Sequence, residues 1–200
     1  MILRVVRGVV APGALPDVRA AFGERYEPIA RTTPGLVRYH AAARQDGDVH
    51  RLVVVTFWTA VEAALAAYGG DLDTPRTLDA SEPHASLTDV AYFEVDESQI
   101  RRTTTHPAIL RLTVGRVAQG VDAGIQQELR ARLHELDVGM SEAYVGRRFV
   151  GSDVEVAFVS TWHEAPAGRA LDQPIWPDIS SRYDAFEVET FVPILSGPPA

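Results

Sequence analysis

The chain has 200 residues, 46% of them hydrophobic, and a formal charge of −8, which is enough apolar material for one or two compact cores. It contains no Cys, Lys or Asn, so all 19 basic side chains are Arg; this excludes thiolate nucleophiles, disulfides, thiolate metal sites, Schiff-base lysines and the lysine-dependent phosphate loop. The acidic balance lacks the basic stripe of a nucleic-acid surface, no apolar run approaches the roughly 18 residues of a membrane span, and Met1–Arg7 reads as a strand rather than a signal peptide, so a cytoplasmic protein is expected.

Residues 2–10 alternate and are rich in Val, the pattern of a strand. Val18, Phe22, Tyr26 and Ile29 then recur at helical spacing, with Pro16 and Asp17 suited to the first turn and Pro28 expected to distort the last. A turn at Pro34-Gly35 leads to a strand near 36–44, and the polar turn Gln45–Asp48 to a second strand ending at Trp58, an antiparallel hairpin. Residues 60–68 are Ala-rich and helix-prone, and Val90–Val95 reads as a closing strand.

After a linker at 96–107 the same order returns. Ile2-Leu3-Arg4 reappears as Ile109-Leu110-Arg111, Gly8 as Gly115, and the segment Leu52–Trp58 as Val156–Trp162. The helical face is repeated as Ile125, Leu129, Leu133 and Leu136, with Asp122 as a candidate N-cap. Val138-Gly139 matches Pro34-Gly35, a strand follows over 140–149, and Gly151–Asp153 makes the hairpin turn. The second helix, 164–171, is weakened by Pro166 and Gly168, and Phe186–Val192 closes the repeat. A period of about one hundred residues marks a tandem duplication.

Each half reads β-α-β-β-α-β, the ferredoxin-like unit. Its helices cover one face of the sheet and leave the other to be covered. The expected class is therefore α+β: two ferredoxin-like repeats, 1–96 and 107–195, facing each other as a dimeric-α/β-barrel-like pseudo-dimer.

Gly before the second strand and Trp at the end of the third, with Val53–Trp58 running into Thr59-Ala-Val-Glu62, resemble the antibiotic biosynthesis monooxygenase family of the dimeric α/β-barrel superfamily. The resemblance spans both repeats. It implies a cofactor-independent monooxygenase acting on a small aromatic or polyketide-like compound, with no cofactor and no metal. Haem-degrading members resemble a site of Asn, Trp and a His nine or ten residues after the Trp. This chain has no Asn, and those later positions hold Ala67-Tyr68 and Ala170-Leu171-Asp172, which disfavours haem degradation.

Arg4 and Arg111 are candidate substrate-binding groups. The stripe Leu110, Leu112 and Val114 suits the helices, so Arg111, and Arg4 by equivalence, are expected on the opposite face. A buried Arg requires an anionic partner or substrate, or else a structural ion pair. Trp58 shares a stripe with Thr56, and Trp162 with Ser160, a mixture that fits a planar ligand with a polar handle, or a core position at a strand end. His40 and Tyr68 are candidate proton-transfer groups, with Tyr39 beside them; Tyr144 stands where the second repeat would need His40. The six His residues show no metal-ligand spacing, and no Gly-x-Ser-x-Gly elbow supports a hydrolase. The expected partner is a small molecule, with self-association through outer surfaces as a further possibility. The alternative function is a non-catalytic small-molecule-binding or structural α/β-barrel protein.

Overall fold

The computed structural model describes residues 1–78, 84–101, 106–118, 120, 122–133, 139–164 and 176–197. It separates into two compact units, Met1–Tyr92 with Phe191–Ala200, and Phe93–Thr190. The class is α+β, with the strands of each unit paired antiparallel.

The first unit contains β1 (Ile2–Val10), α1 (Leu15–Ala21), α2 (Glu27–Thr32), β2 (Leu36–Asp46), β3 (Val49–Trp58), α3 (Val61–Ala67) and the start of β4 (Ala85–Ile100). Its strands lie in the order β4, β1, β3, β2, followed by the end of β8 (Ala185–Gly197). β1 and β2 both pair antiparallel with β3, and the expected hairpin joins β2 to β3. Beyond that hairpin, Ala43 pairs with Val192 and Tyr39 with Gly197.

The second unit contains the end of β4, β5 (Ile109–Ala118), α4 (Asp122–Leu133), β6 (Met140–Val150), β7 (Asp153–Trp162), α5 (Pro177–Ser180) and the start of β8. Its order is β8, β5, β7, β6, β4. β4 runs on to Ile100, through residues that the sequence reads as linker. The register repeats along the strand pair: Ile2 pairs with Trp58 and Arg4 with Thr56, as Ile109 pairs with Trp162 and Arg111 with Ser160. The expected helix at 164–171, and Leu136 of the expected helical face, lie outside the described residues.

The first helix departs from the expected periodicity. Val18, Phe22 and Tyr26 are fully buried, but the next buried residue is Ala30, while Ile29 is exposed. Residues Phe22–Tyr26 form a π-helical turn, in which the Glu27 N–H donates to the Phe22 carbonyl. A π turn carries more residues per revolution than an α turn, which moves the buried position one residue on. It directly precedes Pro28, which has no N–H to give an α-helical bond.

The face assignment of the strands also needs correction. Ile2, Val6 and Val10 of β1 pack with Val18, Phe22 and Tyr26 of the helical layer. In the second unit Ile109 and Val117 pack with Ile125, Leu129 and Leu133 of α4. Arg4 and Arg111 therefore lie on the helix-covered faces, not on the opposite ones. The physical reason is that both stripes of these strands are buried, with Leu3, Val5, Leu110 and Leu112 at 0% exposure. Alternation distinguishes two faces only when one of them is wet.

Gly35 shows how tightly the hairpin entry is built. Its φ is +79°, and a Cβ there would lie 2.5 Å from Ala63 Cβ; the Gly35 carbonyl also accepts from the Thr59 N–H at 2.9 Å. Gly35→Ala adds a left-handed strain to a steric overlap with α3. The expected loss of stability is about 2–4 kcal/mol, read as a lower urea midpoint at unchanged slope; an unaltered midpoint would show that the chain closes around Gly35 less tightly than described.

Candidate functional site

Adjacent strands bring four of the sequence-identified residues together in the first unit. Arg4 pairs with Thr56 across β1 and β3, and Trp58 stands two residues further along the same face. The Trp58 indole donates to Thr56 Oγ1 at 2.9 Å. Tyr68, at the C-terminal end of α3, packs its ring edge-to-face against Trp58, with centroids 5.7 Å apart. The Arg4 guanidinium lies 3.9 Å from the centre of the Tyr68 ring. Arg4, Thr56 and Trp58 are at most 1% exposed, and Tyr68 is 3% exposed.

A residue that sequence reasoning missed completes this cluster. Tyr92, on β4, accepts a hydrogen bond from Arg4 Nε and donates to the Leu72 carbonyl at 2.7 Å. Arg4 Nη1 donates to the Arg76 carbonyl at 2.8 Å, and Nη2 to the Thr74 carbonyl at 3.3 Å. Among the described residues these partners are all neutral. The segment 71–77 is shaped by Asp71, whose carboxylate accepts from the Asp73 and Thr74 N–H groups, and by Arg76, which donates to the Asp71 carbonyl. Tyr92 could have been sought from the alternation of Val90-Ala-Tyr-Phe, which puts Val90 and Tyr92 on one stripe. Nothing in the sequence signals that backbone carbonyls would receive Arg4.

Burial raises the pKa of Tyr68, with the nearby Arg4 charge pulling the other way. Burial likewise pushes Tyr92 up to about 12, against the pull of Arg4. Both phenols are thus proton donors at neutral pH. The Tyr68 hydroxyl sits beside Thr56 and Arg4 without completing a hydrogen bond to either. Tyr68 can therefore offer its proton to a third group.

The other candidates fall elsewhere. His40 is fully buried on the opposite sheet face from Tyr39 and Ala41, with its Nδ1 2.9 Å from Ser196 Oγ. Tyr39 belongs to the helix-side core, edge-to-face with Tyr26. In the second unit Arg111 is buried opposite Ser160, and the Trp162 indole donates to Ser160 Oγ at 3.0 Å, repeating the Trp58–Thr56 bond. Tyr144 is buried on β6 opposite Val159. Both strand hydroxyls thus serve their own tryptophans. Among the described residues no group of three His, Asp or Glu could hold a metal, and no helix is long and apolar enough to cross a membrane.

The family model described as antibiotic biosynthesis monooxygenase matches residues 1–70, a segment that contains Arg4, Thr56, Trp58 and Tyr68. No curated protein matches the chain. A candidate monooxygenase from Fusobacterium nucleatum subsp. nucleatum shares the fold, with a TM-score of 0.68 at 10% identity, covering 98% of this chain and 94% of that one. One from Lactobacillus acidophilus NCFM gives a TM-score of 0.64 at 10% identity, over 100% and 97%. An anthrone oxidase-like protein gives 0.60 at 15% identity, over 100% and 94%.

The raised pKa of Tyr92 has a consequence for stability. A phenol whose pKa is higher folded than unfolded stabilises the fold fully below about pH 10, its unfolded value, and this contribution is lost as pH rises towards about 12. Urea midpoints measured from pH 9 to 12 should fall, and Tyr92→Phe should flatten that fall. An equally steep fall in the variant would place the alkaline sensitivity in another group.

Proposed function

We propose that the first unit is the catalytic half of a cofactor-independent monooxygenase acting on a small aromatic or polyketide-like compound. The observation that carries this reading is the Arg4 guanidinium, permanently charged and fully buried, whose described hydrogen-bond acceptors are all neutral. A hydrogen bond from a cation to an oxyanion is roughly twice as strong as one to a neutral oxygen. The site therefore favours an anionic oxygen over the Thr74 and Arg76 carbonyls. An enolate or phenolate that takes their place beneath 71–77 is held by Arg4, donated to by Tyr68, and walled by Trp58.

The chemistry follows from that stabilisation. Loss of a proton from an activated CH₂ gives an enolate, which Arg4 and Tyr68 hold in its charged form. The enolate carbon supplies electrons to dioxygen and forms a C–O bond. Cleavage of the O–O bond leaves a ketone, with the second oxygen departing as water. The balance is one CH₂ and one O₂ to one C=O and one H₂O, and the substrate is the sole reductant. The acid–base role of Tyr68 is proton donation to oxygen, consistent with its raised pKa.

A second reading is a ligand-binding protein without turnover. It is favoured by the hydrogen bonds that Arg4 already makes within its own chain. Oxygen uptake decides between the two. With anthrone-type substrates, the catalytic reading predicts one O₂ consumed per quinone formed. It also predicts a fall in kcat of about 100-fold in Arg4→Met, the scale of losing one oxyanion donor, and a smaller fall in Tyr68→Phe. Substrate binding without oxygen uptake would select the second reading; uptake unchanged in Arg4→Met would move the chemistry away from this cluster.

A further inference from the structure

The second unit contains a cavity of about 30 Å³ between its sheet and its helices. Its walls include four aromatic side chains: Phe158 on β7, Trp176 before α5, Tyr183 after it, and Phe186 on β8. Phe158 and Trp176 meet edge-to-face at 5.5 Å, and Tyr183 and Phe186 lie 5.5 Å apart at a 41° tilt. Among the described residues none that lines it is charged, and neither Arg111, Ser160 nor Trp162 is among them.

Gly115 makes this wall possible. A Cβ at that position would lie 2.3 Å from Tyr183 Cδ1, so the bare strand lets the phenol ring settle directly on the sheet. The equivalent glycine in the first unit, Gly8, is used otherwise: a Cβ there would meet the backbone oxygen of Ser86 at 2.7 Å. The same glycine thus admits a neighbouring strand in one repeat and an aromatic ring in the other.

We propose that this cavity is a second, separate binding site, for a single neutral aromatic ring bearing one hydroxyl. The shape argument is that aromatic rings prefer offset and edge-to-face partners at about 4.5–7 Å, and four such rings already surround the space. The charge argument is the uncharged lining, which gives an ionised ligand nothing to pair with. The polar handle is Thr113 on β5, which lines the cavity and is 9% exposed. Ser180 Oγ donates to the Pro177 carbonyl at 2.9 Å, so its lone pairs remain acceptors. The space is smaller than a benzene ring, so binding requires one wall to move; Trp176 and Tyr183, both only partly buried, belong to the short segment around the four-residue α5.

The test is titration of the full chain with 4-fluorophenol, followed by ¹⁹F NMR, with fluorobenzene as the ring that lacks the hydroxyl. Neither measurement requires turnover, so the result stands apart from that of the oxygen-uptake experiment. The expected outcome is saturable binding of 4-fluorophenol with a Kd of about 1 mM or tighter. Thr113→Val should weaken 4-fluorophenol about 5–10-fold, the scale of one hydrogen bond, and leave fluorobenzene unchanged. Ser180→Trp should fill the space and abolish both. Non-saturable broadening, equal effects of Thr113→Val on the two probes, or binding that survives in a folded Ser180→Trp variant would overturn the proposal; if Ser180→Trp does not fold, the Thr113→Val comparison decides.

Discussion

A guanidinium removed from water must give its N–H groups to something, and in the first unit that requirement organises the site. Arg4 sits on the first strand, at 0% exposure, and its acceptors arrive from Thr74, Arg76 and Tyr92. An unmet buried donor costs about 1–3 kcal/mol, and more when it is charged. The segment 71–77 is therefore held where its carbonyls can reach Arg4. Asp71 bends that segment by accepting two of its own backbone N–H groups. Tyr92 joins the strand to the segment through its bonds to Arg4 and the Leu72 carbonyl. Tyr68 is fixed between the guanidinium and Trp58, and among the described residues its hydroxyl completes no hydrogen bond.

The two repeats keep the same strand frame and build different things on it. The Trp–hydroxyl bond, the Ile–Trp register and the Arg opposite the hydroxyl residue occur in both. These belong to the sheet and survive duplication because the pleat sets them. What covers the sheet has diverged. In the first unit the cover is a π-interrupted helix and a segment tied to Arg4. In the second it is α4 and the aromatic residues around α5, which leave a cavity. Both units bury an arginine on the helix-covered face, but in the second unit the described residues lining the cavity beside α5 are uncharged and do not include Arg111.

The repeat, the order of strands and helices, and the Trp–hydroxyl stripes were legible in the sequence because they rest on periodicity and identity. Trp58 and Thr56, two apart on one strand, must share a face in any strand. The face itself was not legible. Leu3 and Ile2 are equally apolar, and when both sides of a strand are buried, alternation gives no sign of which meets the helices. Ile29 and Ala30 illustrate a second limit: a π turn of five residues exchanges the buried position between neighbours, and local composition does not announce it beyond Pro28. Tyr68 was visible because it stands ten residues after Trp58, where the family resemblance directed attention to a proton-transfer group. Tyr92 and the carbonyls of 74 and 76 were not, since their role depends on where a distant strand and segment close over Arg4.

The central claim is that the charge of Arg4 awaits an anionic oxygen. Its most direct test is ¹⁵N NMR of the arginine Nε–Hε groups during anaerobic titration with a 1,8-dihydroxyanthrone, where no turnover can occur. The account predicts that a ligand oxygen replacing the Thr74 and Arg76 carbonyls at Arg4 Nη2 and Nη1 shifts the neighbouring Arg4 Nε–Hε resonance in a saturable manner, with matching shifts at Tyr68 and Trp58. A saturable response centred on His40 and Ser196, with Arg4 unmoved, would contradict it.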